Sequence, residues 1–190
     1  MSSLRRVLVV LTALVLSCLP NSGYAAWELS GTKAIILTTA EGTRINIGSV
    51  EFMPTTESAA TFKISLNTAT FKDYFLSMRE FKCIQGATEL TCHVPYPYVN
   101  PRTVRINDLA WLEHSLLFFY KLQSDYGAKL WNGIYFELRS TDAGLVGTPK
   151  AIDLNQIAAP PDNTSIPPYG SAQRYDIPSD ARWIRSLSIE

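Results

Sequence analysis

The chain has 190 residues, 46% hydrophobic and 11% aromatic, with 17 Lys and Arg against 17 Asp and Glu. That length and composition fit one packed domain and exclude a disordered chain. Balanced charge removes the basis for a nucleic-acid or anionic-membrane partner, and three Cys with two His argue against a metal cluster or a disulfide-rich scaffold.

The N-terminus reads as an export signal. Arg5 and Arg6 precede an apolar run over residues 7–16, Pro20 breaks the helix, and Gly23-Tyr24-Ala25 supplies the small residues of a cleavage site. The run is shorter than the roughly 20 residues of a membrane anchor. A lipid attached to Cys18 is the competing reading, but Leu16 is a poor fit to the small residues that precede a lipidated Cys. Cleavage after Ala25 discards Cys18 and both Arg, leaving 15 basic and 17 acidic residues and a formal charge of −2. The expected organisation is a signal peptide over 1–25 and one mostly-β domain over 26–190, destined for the periplasm.

Apolar alternation then predicts strands around 34–37, 44–52 and 62–66, as an antiparallel meander. Glu41-Gly42 marks a turn, and the phase slip at Gly48-Ser49 predicts a β-bulge. Phe71, Tyr74, Phe75 and Met78 fall at i, i+3, i+4 and i+7, which predicts an amphipathic helix over 69–79, capped by Thr68 or Thr70. Cys83 and Cys92 remain after export, flanking a short turn, and an even pair in an oxidising compartment predicts a disulfide across a hairpin. A redox-active pair would ask for closer spacing or an adjacent helix N-terminus. Asn107 and Asp108 open a second helix with Leu109, Leu112 and Leu116 on one face. The run over 116–120 is apolar all round and therefore buried, as helix or as strand. Residues 131–138 and 145–154 form a second hairpin around Asp142-Ala143-Gly144. Gly133 within it marks a bend or the close approach of a ligand. Five Pro over 158–178 predict a wrapped surface segment that packs through Ile166, Tyr169, Tyr175 and Ile177. Residues 183–189 supply a last strand. The fold expected is mainly β, a single antiparallel barrel or sandwich with one or two short α-helices.

No catalytic motif stands out. Gly-x-Ser-x-Gly, Ser-x-x-Lys and phosphate loops are missing, and the carboxylates are scattered. His93 and His114 would make only a weak metal site, without helical His spacing. The feature that stands out is His93-Val94-Pro95-Tyr96-Pro97-Tyr98. Two Pro at alternate positions force an extended path, from which Tyr96 would project away from its neighbours. The run forms an aromatic ledge beside the disulfide, suited to a peptide or a ring-bearing ligand. The bland alternative is that both tyrosines cover the rim of the core.

Residues 71–83, 92–98 and 130–138 together resemble small exported proteins of unassigned function from Gram-negative bacteria. That resemblance implies export and carries no residue roles. Trp27-Glu28-Leu29-Ser30-Gly31 resembles the Trp-to-Gly pattern of lipocalin-like barrels. The reading is therefore an exported, non-enzymatic binding or assembly module, recognising an unknown protein or a small apolar ligand through His93, Tyr96 and Tyr98. No cofactor, nucleic acid or transmembrane segment of the mature protein is expected. A small hydrolase with a dispersed site and a metal carrier using His93 and His114 are the alternatives.

Overall fold

The computed structural model describes residues 27–75 and 79–190. The expected export signal, with Cys18 and the expected cleavage point, lies outside the described residues, as do residues 76–78 of the expected first helix.

The described chain is mainly β. Its strands are β1 (Gly31–Thr39), β2 (Arg44–Thr56), β3 (Ala59–Leu66), β4 (Lys72–Asp73), β5 (Lys82–Gln85), β6 (Glu89–Val94), β7 (Thr103–Arg105), β8 (Leu117–Leu122), β9 (Gly133–Thr141), β10 (Gly144–Ile152), β11 (Tyr175–Asp176) and β12 (Ile184–Ile189). One α-helix among the described residues, α1 (Ala110–His114), precedes β8. All twelve strands join one antiparallel sheet in the order β4-β5-β6-β8-β9-β10-β12-β1-β2-β3-β7, with β11 beside β10. This hydrogen-bonded path does not close into a ring.

Turn chemistry explains the hairpins. Gly42 takes φ +80°, and its N–H donates to the Thr39 carbonyl at 3.0 Å. The bulge falls where the phase slips. Ile35 pairs with Gly48 while Ile36 pairs with Asn46, so Ile47 is the extra residue. Gly48 beside it has φ +150°, and its N–H donates to Asn46 Oδ1 at 2.9 Å.

Two apolar clusters lie on opposite faces of the sheet. The larger gathers Ile35, Val50, Phe52, Phe62, Leu112, Leu116, Phe118, Phe136 and Leu187. The second gathers Cys83, Leu90, Cys92, Leu117, Phe119, Tyr135, Leu154, Ile157 and Tyr169. Phe118 and its neighbours Leu117 and Phe119 thus enter different clusters, as the alternation of strand side chains requires. The all-apolar run over 116–120 is therefore a strand buried on both faces, following a helix of a single turn.

Three expectations change. The helix over 69–79 is not formed by its described part. Thr70 N–H closes a turn on the Asn67 carbonyl at 3.0 Å, and Lys72–Asp73 pairs with β5. Phe71 enters the larger cluster while Tyr74 and Phe75 pack on the second, which one helical face could not do. The proline-rich segment is not only a surface wrap: Tyr169 is fully buried, whereas Ile166 and Tyr175 are exposed. At Gly133 the close approach comes from the chain itself, since a Cβ there would lie 2.6 Å from the Ile152 carbonyl oxygen. The disulfide expectation holds. Cys83 pairs directly with Cys92 across β5 and β6, and their sulfurs are bonded. The hairpin tip packs under Trp183, whose ring fills the place of a Gly86 side chain.

Candidate functional site

The extended run after β6 is built by its prolines. Pro95 and Pro97 are exposed while Tyr96 and Tyr98 are half-buried, so both tyrosines face inward from alternate positions. Tyr96 does not project away from its neighbours. Its ring meets Tyr98 at 5.7 Å, His114 at 5.8 Å and Trp111 at 6.1 Å, edge to face in each case. Tyr98 Oη donates to the Ile157 carbonyl at 2.9 Å. Tyr96 Oη is buried and has no partner among the described residues. Burial pushes the Tyr96 phenol above its usual range, and the neighbouring Tyr98 adds to the effect.

His93 sits in β6, 7% exposed, with its ring edge-on to Phe118 at 5.4 Å. Its Nε2 lies 3.1 Å from the Ser115 carbonyl. Burial pushes the imidazole below its usual range, against a smaller opposing effect of that carbonyl. His93, Tyr96 and Tyr98 line one open groove of about 710 Å³, together with Phe62, Ile64 and Leu66 from β3 and Lys63, Asn100, Arg102 and Ser115. The structure thus brings the three sequence-read residues together, with both tyrosines half-buried.

Sequence reasoning missed the support of this groove. Asn100 donates from Nδ2 to Ser115 Oγ at 2.9 Å and to the Trp111 carbonyl at 3.0 Å. Its Oδ1 accepts from Arg102 N–H at 2.7 Å. Arg102 has φ +55°, the one non-glycine residue in the left-handed region among those described. Asn100-Pro101 was the available signal, since that dipeptide marks a turn.

A second set of residues, also missed, lies behind α1. Glu113 is buried; its Oε1 accepts from Leu138 N–H at 2.7 Å and its Oε2 accepts from Tyr135 Oη. Arg174, from the proline-rich segment, lies 4.0 Å over the Tyr135 ring. It donates to Tyr135 Oη at 2.7 Å and twice to the Tyr169 carbonyl, at 2.7 and 3.0 Å. Burial raises the Glu113 carboxyl above its usual range, against Tyr135, Leu138 and Arg174. Burial likewise holds the Tyr135 and Tyr169 phenols protonated. A cleft of about 460 Å³ here is lined by Glu113, Glu137 and Arg174. Both Glu113 oxygens are occupied by protein donors, which suits an anchor of α1 onto β9 better than an acid or base awaiting substrate.

His114, fully buried, places Nδ1 2.7 Å from the Ala110 carbonyl and accepts at Nε2 from Tyr169 N–H at 3.1 Å. Neither nitrogen is left for a metal, so His93 and His114 do not form the pair weighed from sequence. Among the described residues no group of three or more His, Cys, Asp or Glu is placed to hold a metal ion. No described helix is long and apolar enough to cross a membrane.

No protein-family model matches the chain, and no curated protein or solved structure matches it.

Proposed function

We propose that this is an exported, periplasmic, non-enzymatic binding module whose partner docks in the groove of His93, Tyr96 and Tyr98. The observation that carries the reading is the Tyr96 hydroxyl, a buried polar atom without a partner among the described residues, on a ring that lines an open groove of about 710 Å³. An unpartnered buried hydroxyl costs the free protein about 1–3 kcal/mol, which a donor or acceptor recovers when docking shifts the side chains that cover it. The groove is already shaped: prolines stiffen one wall, and the disulfide fixes the strand that leads into it. Such a surface loses little conformational entropy on docking, and tyrosines offer large contact area with few torsions to freeze.

Tyr96→Phe is the sharpest test. Without partner, the variant is expected to be more stable than the parent by up to about 1–3 kcal/mol, because only an unpartnered hydroxyl is removed. Native mass spectrometry of protein isolated from periplasmic extract should show a co-purified mass on the parent. That mass should be depleted on Tyr96→Phe and on Tyr98→Ala. A Tyr96→Phe variant that loses stability would show the hydroxyl to be a structural partner, and an adduct equally retained by both variants would place the partner elsewhere. Either result ends the reading.

A further inference from the structure

One edge of the sheet opens into this groove. In an antiparallel ladder the N–H and C=O of a residue point to the same side, and the side alternates along the strand. Asn67 N–H, just past β3, donates to Ile47 of the β2 side at 2.8 Å, whereas Phe62 N–H donates to Arg102 on the other side at 2.9 Å. Phe62, Ile64 and Leu66 therefore present their peptide groups away from β2. Strand β7 covers only Ala59, Ala60 and Thr61 of that edge. The left-handed turn at Arg102 then carries the chain off, and the groove begins where pairing stops. Ile64 and Leu66 have no strand beside them on this side among the described residues. Their donors and acceptors face a space walled opposite by Tyr96 and Tyr98.

The charge of that space is one-sided. Its lining includes Lys63 and Arg102 and no carboxylate, and neither cation forms an ion pair among the described residues. Buried His93 is held toward its neutral form there. A second copy of this chain docking edge to edge would set Lys63 and Arg102 against their own kind. Free edges are commonly protected from self-pairing by a charge of this sort. The same charge attracts an acidic strand.

Resting on the groove reading above, we propose that the partner is an extended acidic peptide segment that adds a strand to β3 at Ile64 and Leu66. Main-chain hydrogen bonds to β3 give affinity, and the Tyr96–Tyr98 wall receives alternate side chains. Lys63 and Arg102 select carboxylates.

The probe is a random decapeptide library selected on the full mature protein. Acidic sequences should be enriched. The best binder is then resynthesised with N-methyl groups on alternate backbone amides, once in each phase. One phase should weaken binding about tenfold or more, since it removes the donors that face β3, and the other should have little effect. Ile64 and Leu66 amides should exchange with solvent at least about tenfold more slowly in the complex, a readout that needs no substitution in the strand. Lys63→Glu, on an exposed side chain, should weaken the acidic peptide and flatten the fall of its affinity with salt. Equal affinity for both N-methylated forms overturns strand addition, while a loss with Tyr98→Ala in the same assay keeps the groove reading. Enrichment of neutral or basic peptides, a concentration-dependent dimer protecting the same two amides, or no enrichment at all also overturns the proposal.

Discussion

At His114 both ring nitrogens are committed, Nδ1 to the Ala110 carbonyl and Nε2 to the Tyr169 amide. Because Nε2 accepts a hydrogen bond, the ring is neutral with its proton on Nδ1. Tyr169 stacks on it at 5.5 Å, while Tyr135, Tyr96 and Trp111 meet it edge-on. A second proton would displace the Tyr169 amide and add charge near Arg174. Burial is the largest cause and drives the pKa down to about 4, with Arg174 adding to it against the Ala110 carbonyl. The unfolded ring takes its proton near 6.5 and the folded one only near 4, so stability from this site is complete above pH 6.5 and falls as pH drops toward 4. Buried Glu113 and Glu89 act oppositely: burial raises both, so their contribution favours folding at low pH and is lost as pH rises past 4.5. The comparison that isolates the histidine is the stability of the parent minus that of His114→Gln, from urea melts at several pH values. That difference should shrink by up to about 3 kcal/mol between pH 7 and pH 4. A constant difference would show that the ring does not change protonation on unfolding. At this scale the extended path through Tyr96 and Tyr98 was legible, because prolines fix it, but the inward direction of Tyr96 was not, since it depends on Trp111 and His114. The sequence also hid the fate of His114, whose second partner comes from 55 residues away.

The elements divide in the same way. Period-two stretches become β1, β2 and β3, and the bulge falls at the phase slip, since both follow from neighbouring residues alone. The stretch after Phe71 misled because its aromatics are spaced for one helical face yet serve two clusters. Phe75 packs on Phe81 at 6.3 Å and Phe119 at 5.9 Å, beside the disulfide, while Phe71 turns to the larger core. Tertiary partners overrode the period, as they do when a short segment covers a sheet edge. The adjacent hairpin was legible because a covalent bond and a turn define it. Joining positions nine apart, the bond stabilises by about 2–3 kcal/mol through the unfolded chain. Other anchors remain without it. Arg182 pairs with buried Glu89 at 2.8 Å and lies 3.5 Å over Tyr120, and Gln123 donates to the Gly86 and Ala87 carbonyls. The double variant Cys83→Ala with Cys92→Ala should therefore fold cooperatively and lose about 2–3 kcal/mol in denaturant melts. Reductant should leave its transition unmoved while lowering that of the parent. Failure of the variant to fold would mean that the disulfide, and not packing, holds the second cluster together.

Across the whole molecule, the last strand joins the two halves of the sheet. Residues 183–189 were legible as a strand from weak alternation, but their central position was not, because strand order depends on long-range pairing that periodicity does not encode. Leu187 pairs with Leu37 of β1 on one side and Gly147 of β10 on the other. Ile184, Leu187 and Ile189 are fully buried in the larger cluster. Without β12, the hydrogen-bonded path divides into β4-β5-β6-β8-β9-β10, with β11 still beside β10, and β1-β2-β3-β7, and the stretches of β10 and β1 that β12 paired are left bare. The groove suffers with them, since its walls come from β3 in one half and from the segment after β6 in the other. A chain ending at Trp183 should therefore lack a cooperative thermal transition and expose apolar surface to a hydrophobic dye. Leu187→Ala, a milder lesion, should keep the fold and lose about 2–5 kcal/mol, the usual cost of a large core side chain. Supplying residues 184–190 in trans as a synthetic peptide gives the decisive comparison. Recovery of a cooperative transition would show that the two halves are preformed and need only their shared strand. No recovery, with Leu187→Ala still folded, would show that each half forms only on the completed sheet. A truncated chain that melts like the parent would refute the joining role outright.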